Sequence, residues 1–154
     1  MSEKMDGIRA YWDGNHLISK QAKRILCPLW FTEGLPKDNT LDGELWMGRK
    51  RFERVIALLN SNTLEDSIWK EMKYVIFDLP RSHLPYESRM KELKGMGPFA
   101  SHILIIESIR CDGNGHLWKS LEEIIQNGGE GLMMNKPGSF YIGERSTDLL
   151  KVKV

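Results

Sequence analysis

Two short apolar runs constrain this chain most. Lys73–Leu79 reads as a buried strand ended by Pro80, and Ile103–Ile109 is the most apolar strand of all. Between them, Tyr86, Met90 and Leu93 keep helical spacing ahead of the Gly95-Met96-Gly97-Pro98 break. Strands this short, set among helices without regular βαβ spacing, predict an α+β fold with mostly antiparallel sheets flanked by helices. Ile8–Asp13 and His16–Ser19 form a hairpin around Asp13-Gly14-Asn15, and Leu41–Trp46 reads as a strand. Phe52, Val55, Ile56 and Leu59 predict an amphipathic helix over Lys50–Asn60. Thr63 followed by Asp66 predicts a capped helix over Leu64–Met72. A further helix over His116–Asn127 stops at Gly128-Gly129, and Glu130–Met134 and Leu149–Val154 are the last strands.

Composition narrows the function classes. With 154 residues, 41% of them hydrophobic, the chain is one domain's worth and can bury a proper core. A formal net charge of +1 argues against a broadly basic nucleic-acid coat. Any such contact falls to local patches, Lys20, Lys23 and Arg24 or Arg49, Lys50, Arg51 and Arg54, which read equally well as solvated faces. Cys27 and Cys111 lack metal spacing, and His16, His83, His102 and His116 are scattered. Neither an apolar membrane span nor a signal-peptide pattern is present, so the expectation is a cytoplasmic protein with no membrane partner.

The chemistry is concentrated in the first nine residues. Lys4, Asp6, Gly7 and Arg9 supply a nitrogen nucleophile, an acid that orients it or shapes the turn, close backbone approach and a phosphate clamp. An ordinary lysine amine, with pKa about 10.4, is protonated at neutral pH, so a nucleophilic one needs desolvation or neighbouring cations. Lys151 and Lys153 answer that need, since alternation along a strand points both to one face. Asp42-Gly43-Glu44 and Glu130-Gly131 put two acids beside glycines; each also reads as an ordinary turn or cap. Phe77, taken alone, is core packing.

Five segments in order resemble the motifs of the ATP-dependent DNA ligases, relatives of RNA ligases and mRNA capping enzymes. Lys4-Met5-Asp6-Gly7-Ile8-Arg9 resembles their lysine motif and Asp42-Gly43-Glu44-Leu45-Trp46 their third. Tyr74-Val75-Ile76-Phe77-Asp78 resembles the aromatic strand between third and fourth, Glu130-Gly131-Leu132-Met133-Met134 the fourth, and Leu149-Leu150-Lys151-Val152-Lys153 the fifth. The flanks Ala10–Gly14, Trp30-Phe31-Thr32 and Pro137-Gly138-Ser139 look most like the minimal bacterial members.

The resemblance implies a nucleotidyltransferase domain over residues 1–154 that takes AMP from ATP onto Lys4, passes it to the 5′-phosphate of a DNA nick and seals the strand. It implies that Glu3, Asp6, Gly7, Arg9, Glu44, Phe77, Glu130, Lys151 and Lys153 line the nucleotide. Phe77 stacks on adenine, Glu44 meets the ribose, and Glu130 with Glu44 serves Mg2+ or another divalent cation. Lys151 and Lys153 assist catalysis, and Arg9 meets the nucleotide or the nick phosphate. The partner is nicked duplex DNA, with a monomeric chain and a separate oligonucleotide-binding domain as further expectations. The chain stops just after the fifth motif, where such proteins continue into an oligonucleotide-binding barrel, and it begins three residues before Lys4. Asn135, followed by Lys136, stands where the fourth motif often has a basic residue. An RNA ligase, a capping-type guanylyltransferase and a non-catalytic nucleotide- or DNA-binding module are the alternatives.

Overall fold

The computed structural model describes residues 1–143 and 146–153. Its strands form two sheets. The larger contains β2 (Ile8–Trp12), β3 (Leu17–Ser19), β4 (Leu41–Trp46), β5 (Lys73–Asp78) and β6 (Ile103–Ile105), in the order β3-β2-β4-β5-β6. The smaller contains β1 (Ser2–Glu3), β7 (Leu132–Asn135) and β8 (Leu149–Val152), with β7 in the middle. Among the described residues, five helices accompany them: α1 (Leu29–Thr32), α2 (Phe52–Ser61), α3 (Asp66–Trp69), α4 (Tyr86–Met96) and α5 (Asn114–Gln126). The pairings are antiparallel except β5 with β6. The α+β expectation holds. Among the described residues, no helix is long and apolar enough to cross a membrane.

The first hairpin forms because Asp13 bonds its own turn: its Oδ1 accepts the N–H groups of Asn15 and His16 at 2.7 and 2.6 Å. Gly14, at φ +102°, takes the backbone conformation that a side chain would resist. In α2 the spacing buries Val55, and Asn62 ends the helix in the left-handed conformation at φ 56°. Trp12, Leu41, Leu45, Tyr74 and Ile76 pack the large sheet onto Phe31, Val55, Trp69 and Leu93. Tyr74 is fully buried and donates its hydroxyl to the Ala10 carbonyl at 2.9 Å. Its ring lies over Gly43, where a Cβ would come within 2.8 Å of the ring and 2.6 Å of the Val75 carbonyl oxygen. Glycine is required there by packing.

Two expectations need correction. The helix expected over Leu64–Met72 shrinks to Asp66–Trp69, and Thr63 does not cap it. Instead Thr63 accepts the Trp69 indole N–H on its carbonyl at 2.9 Å, and burying Trp69 and Met72 draws this short segment into the core. The strand expected over Ile103–Ile109 ends at Ile105. Ile106 N–H still bonds to Ile76, but Ile109 N–H bonds to Met1, so the chain leaves β5 to reach the smaller sheet. Strand β1 and helix α1 were not foreseen. The end of the last expected strand, Val154, lies outside the described residues.

Candidate functional site

The smaller sheet sets the lysine. Lys4 N–H donates to the Gly131 carbonyl at 2.8 Å, continuing the β1–β7 ladder, and the Lys4 ammonium meets Glu130 Oε1 at 2.5 Å. Both partners are largely covered, with side chains 17% and 34% exposed. Gly131 is a necessity, because a Cβ there would stand 2.3 Å from the Val152 carbonyl oxygen and 3.0 Å from the Lys153 Cβ. Gly131 therefore lies between Lys4, just past β1, and Lys153, just past β8. Lys151 pairs with Met133 one step along the same strand pair, and both Lys151 and Lys153 are exposed. The opposite face of this sheet packs Leu132 onto Leu121 of α5, with Met134 and Val152 beside them.

The larger sheet brings the second acid. Glu44 lies opposite Arg9 across β2 and β4, and its Oε2 accepts the Gly7 N–H at 3.0 Å. Burial pushes the Glu44 carboxyl up to about 7. The Gly7 N–H and the Lys4 charge pull the other way, while Glu130 and Asp6 add to the rise. These interactions tie Glu44, Lys4 and Glu130 into one charged cluster drawn from both sheets. Asp6 shapes the segment around them, accepting the Trp46 indole N–H at 2.9 Å and the Lys50 N–H at 2.8 Å. A Cβ on Gly7 would fall 2.0 Å from the Leu45 carbonyl oxygen, so only glycine lets this segment lie against β4.

Arg9 and Phe77 form a neighbouring unit. Asp42 pairs with Asp78 while Gly43 pairs with Ile76, which makes Phe77 the extra residue of a bulge in β5. Its half-buried ring has the Arg9 guanidinium over it, 5.8 Å from the centroid. Arg9 is held by a two-pronged pair with Asp42, Nε at 3.0 Å and Nη2 at 2.5 Å. A second such pair stands beside it, Arg89 on α4 with Asp78, both buried. A cleft of about 510 Å³ opens between the two sheets, lined by Met5, Val75, Ile106, Ile124 and Leu132 among others; of the site residues expected from sequence, Glu3 lines it and Lys4, Glu44, Phe77 and Glu130 do not.

The structure thus brings together Lys4, Glu130, Glu44 and Gly7, and separately Arg9 with Phe77. Glu3 is drawn elsewhere: Arg49 holds it by two bonds, Nη2 at 2.5 Å and Nε at 3.1 Å, and Arg49 also donates to the Asn127 carbonyl. Reasoning from sequence missed Asp42, Tyr141, Asp78, Arg89 and Arg49. Asp42 and Asp78 carried a signal, since an acid inside an apolar strand needs a buried partner. Among the described residues, no group of three or more His, Cys, Asp or Glu side chains converges to hold a metal.

Comparison with known proteins agrees with this geometry. Residues 1–153 match the ATP dependent DNA ligase domain family model. The chain is 32% identical over 155 aligned residues to a DNA ligase of Haemophilus influenzae, covering 99% of this chain and 57% of that protein. A solved Lig E DNA ligase superposes with a TM-score of 0.92 at 36% identity, over 99% of this chain and 60% of the other. Chlorella virus DNA ligase-adenylate shares the fold, at a TM-score of 0.80 and 22% identity. The chain spans less than two thirds of the length of these relatives. Matched along nearly its whole length and built on the same two-sheet scaffold, it belongs to the ATP-dependent DNA ligase domain family.

Proposed function

We propose that this domain performs the lysine-adenylation chemistry of an ATP-dependent DNA ligase and acts on nicked duplex DNA. The observation that carries the reading is the Lys4–Glu130 pair, with buried Glu44 beside it. Lys4 Nζ gives up a proton to solvent and attacks the α-phosphorus of ATP. A P–N bond forms, the P–O bond to the β-phosphate breaks, pyrophosphate leaves, and the second proton on nitrogen is lost to solvent. A 5′-phosphate oxygen at the nick then displaces Lys4 from the AMP phosphorus, the P–N bond breaking as the nitrogen takes up a proton from solvent. Finally the 3′-hydroxyl attacks the 5′-phosphorus, its proton passing to solvent, and AMP departs with the sealed strand formed.

The other side chains serve charge and position. Lys151 and Lys153 offset negative charge gathering on the α-phosphate. Phe77 offers its face to the base, Glu44 accepts from the ribose, and Arg9 meets a phosphate. Glu130 and Glu44 are the carboxylates available to Mg2+ or another divalent cation arriving with the ATP phosphates, which would neutralise phosphate charge. A separate oligonucleotide-binding domain completes the grip on DNA.

The test is to supply ATP, Mg2+ and a 5′-phosphorylated nicked duplex, and to look for AMP-capped DNA and sealed product. AMP-capped DNA is expected with ATP on DNA, and sealing by this domain by itself is expected to be poor. Labelling by GTP, or turnover confined to nicked RNA, would replace this reading with the capping or RNA-ligase one.

A further inference from the structure

One tyrosine outside the five motifs reaches the site from far along the chain. Tyr141 lies in the connection between β7 and β8, and it donates its hydroxyl to Asp42 Oδ2 at 2.7 Å across 99 positions of sequence. Asp42 has a side chain only 1% exposed, and its oxygens are shared by Arg9 Nε, Arg9 Nη2 and the Tyr141 hydroxyl. A carboxylate this buried is stable only when its hydrogen bonds are made. Arg9, by contrast, is 48% exposed along its side chain. A long side chain with that freedom holds one geometry only if its anchor is fixed. Asp42 grips Nε and Nη2, which leaves Nη1 outside the fork.

The segment bearing Tyr141 is itself restrained. Ser139 accepts on its carbonyl from Tyr86 N–H and Arg89 Nη1, both at 2.8 Å. Glu87 accepts the Gly138 N–H at 2.9 Å. The first turns of α4 therefore clamp the segment, and Arg89 also holds Asp78, the residue opposite Asp42. Burial and the Asp42 charge push the Tyr141 phenol above the ordinary tyrosine range, so the hydroxyl remains a donor at neutral pH.

We propose that Tyr141 is a positioning residue: by fixing Asp42 it holds the Arg9 guanidinium over Phe77 and aims its free edge at a phosphate. This rests on the reading that Arg9 meets a nucleotide or nick phosphate during nucleotidyl transfer. The substitution Tyr141→Phe removes the hydroxyl and keeps the ring. It should slow either Lys4–AMP formation or AMP transfer to a nicked duplex roughly tenfold in single-turnover assays, through misorientation of Arg9. The ATP concentration giving half the maximal rate should move less than about threefold, because most binding contacts survive.

A double-mutant cycle separates this role from simple folding support. In an Arg9→Ala background, Tyr141→Phe should change neither step by more than about twofold. Equal losses in both backgrounds, or no loss in either, would overturn the proposal. A readout independent of activity is the Nε–H resonance of Arg9 in proton–nitrogen NMR spectra. Tyr141→Phe should shift or broaden it and leave the Arg89 Nε–H signal in place. If the unmodified chain forms no Lys4–AMP, the nucleotidyl-transfer reading fails, and the NMR result still decides whether Tyr141 fixes Arg9; an unmoved Arg9 signal refutes it.

Discussion

The two sheets are held together by different forces. The five-stranded sheet is stabilised by large side chains with essentially no solvent contact, among them Tyr74, Leu45, Leu41 and Ile76. The three-stranded sheet has strands of two to four residues, and on β8 Leu149 and Leu150 are about half exposed. A small apolar cluster, Met1 and Leu132 against Leu121, and a set of polar ties hold it in place: Lys4 N–H to Gly131, Arg49 to Glu3, and Ile109 N–H to Met1. Yet this lighter sheet carries Lys151, with Lys4, Lys153 and Glu130 at the ends of its strands. The difference teaches that Lys4, the proposed nucleophile, lies with its partner Glu130 on the more exposed element, while Glu44, Asp42 and Arg9 grow from the more deeply buried one.

The largest expected effect lies on the rigid side. Arg89→Ala would leave Asp78 as a buried charge without its partner and should cost about 3–5 kcal/mol in denaturant unfolding. A loss under about 1 kcal/mol would mean that the scaffold does not depend on its buried ion pairs.

Glu44 comes next and joins the two sheets. Its folded-state pKa is raised from 4.5 to about 7, so the fold favours the protonated carboxyl. That contribution is complete below about pH 4.5 and disappears as pH rises through about 7. Glu44→Gln should therefore be more stable than the parent at pH 8, by up to about 3 kcal/mol. Near pH 4 the two should match. Unfolding curves across that window check the sign, and a constant difference at all pH values would refute it.

A pair of glycines sharpens the contrast. Gly43→Ala forces a Cβ onto the Tyr74 ring and should lower global stability by about 1–3 kcal/mol. Gly131→Ala presses on the β8 backbone. It should accelerate amide exchange in β7 and β8 with a smaller change in global unfolding. Reversed outcomes would contradict the division into a rigid and a light sheet. The smallest effect belongs to Arg49→Ala: at most about 1 kcal/mol overall, but faster exchange at the Lys4 amide, which Arg49 secures only through the neighbouring Glu3.

Much of the larger sheet was legible in sequence because its strands are written locally. Leu41–Trp46 appears with its expected ends, and the Asp13 turn makes the hairpin. Helix α4 buries Tyr86, Met90 and Leu93, the three residues that announced it. The small sheet was less legible. Strand β1 has two residues and takes its whole pattern from partners more than a hundred positions away. The fate of Ile106–Ile109 depended on Met1, which no apolar periodicity reports. At the site, Lys4, Glu44 and Glu130 were found through motifs, whereas Arg49–Glu3 and Tyr141–Asp42 join residues 46 and 99 positions apart. Long-range polar pairs leave no mark on local spacing.

The most direct measurement is the intact mass of the folded chain before and after ATP with Mg2+, beside Lys4→Ala. The account predicts an added AMP on the parent chain and none on the variant. An unchanged parent mass, or an adduct that survives loss of Lys4, would contradict it.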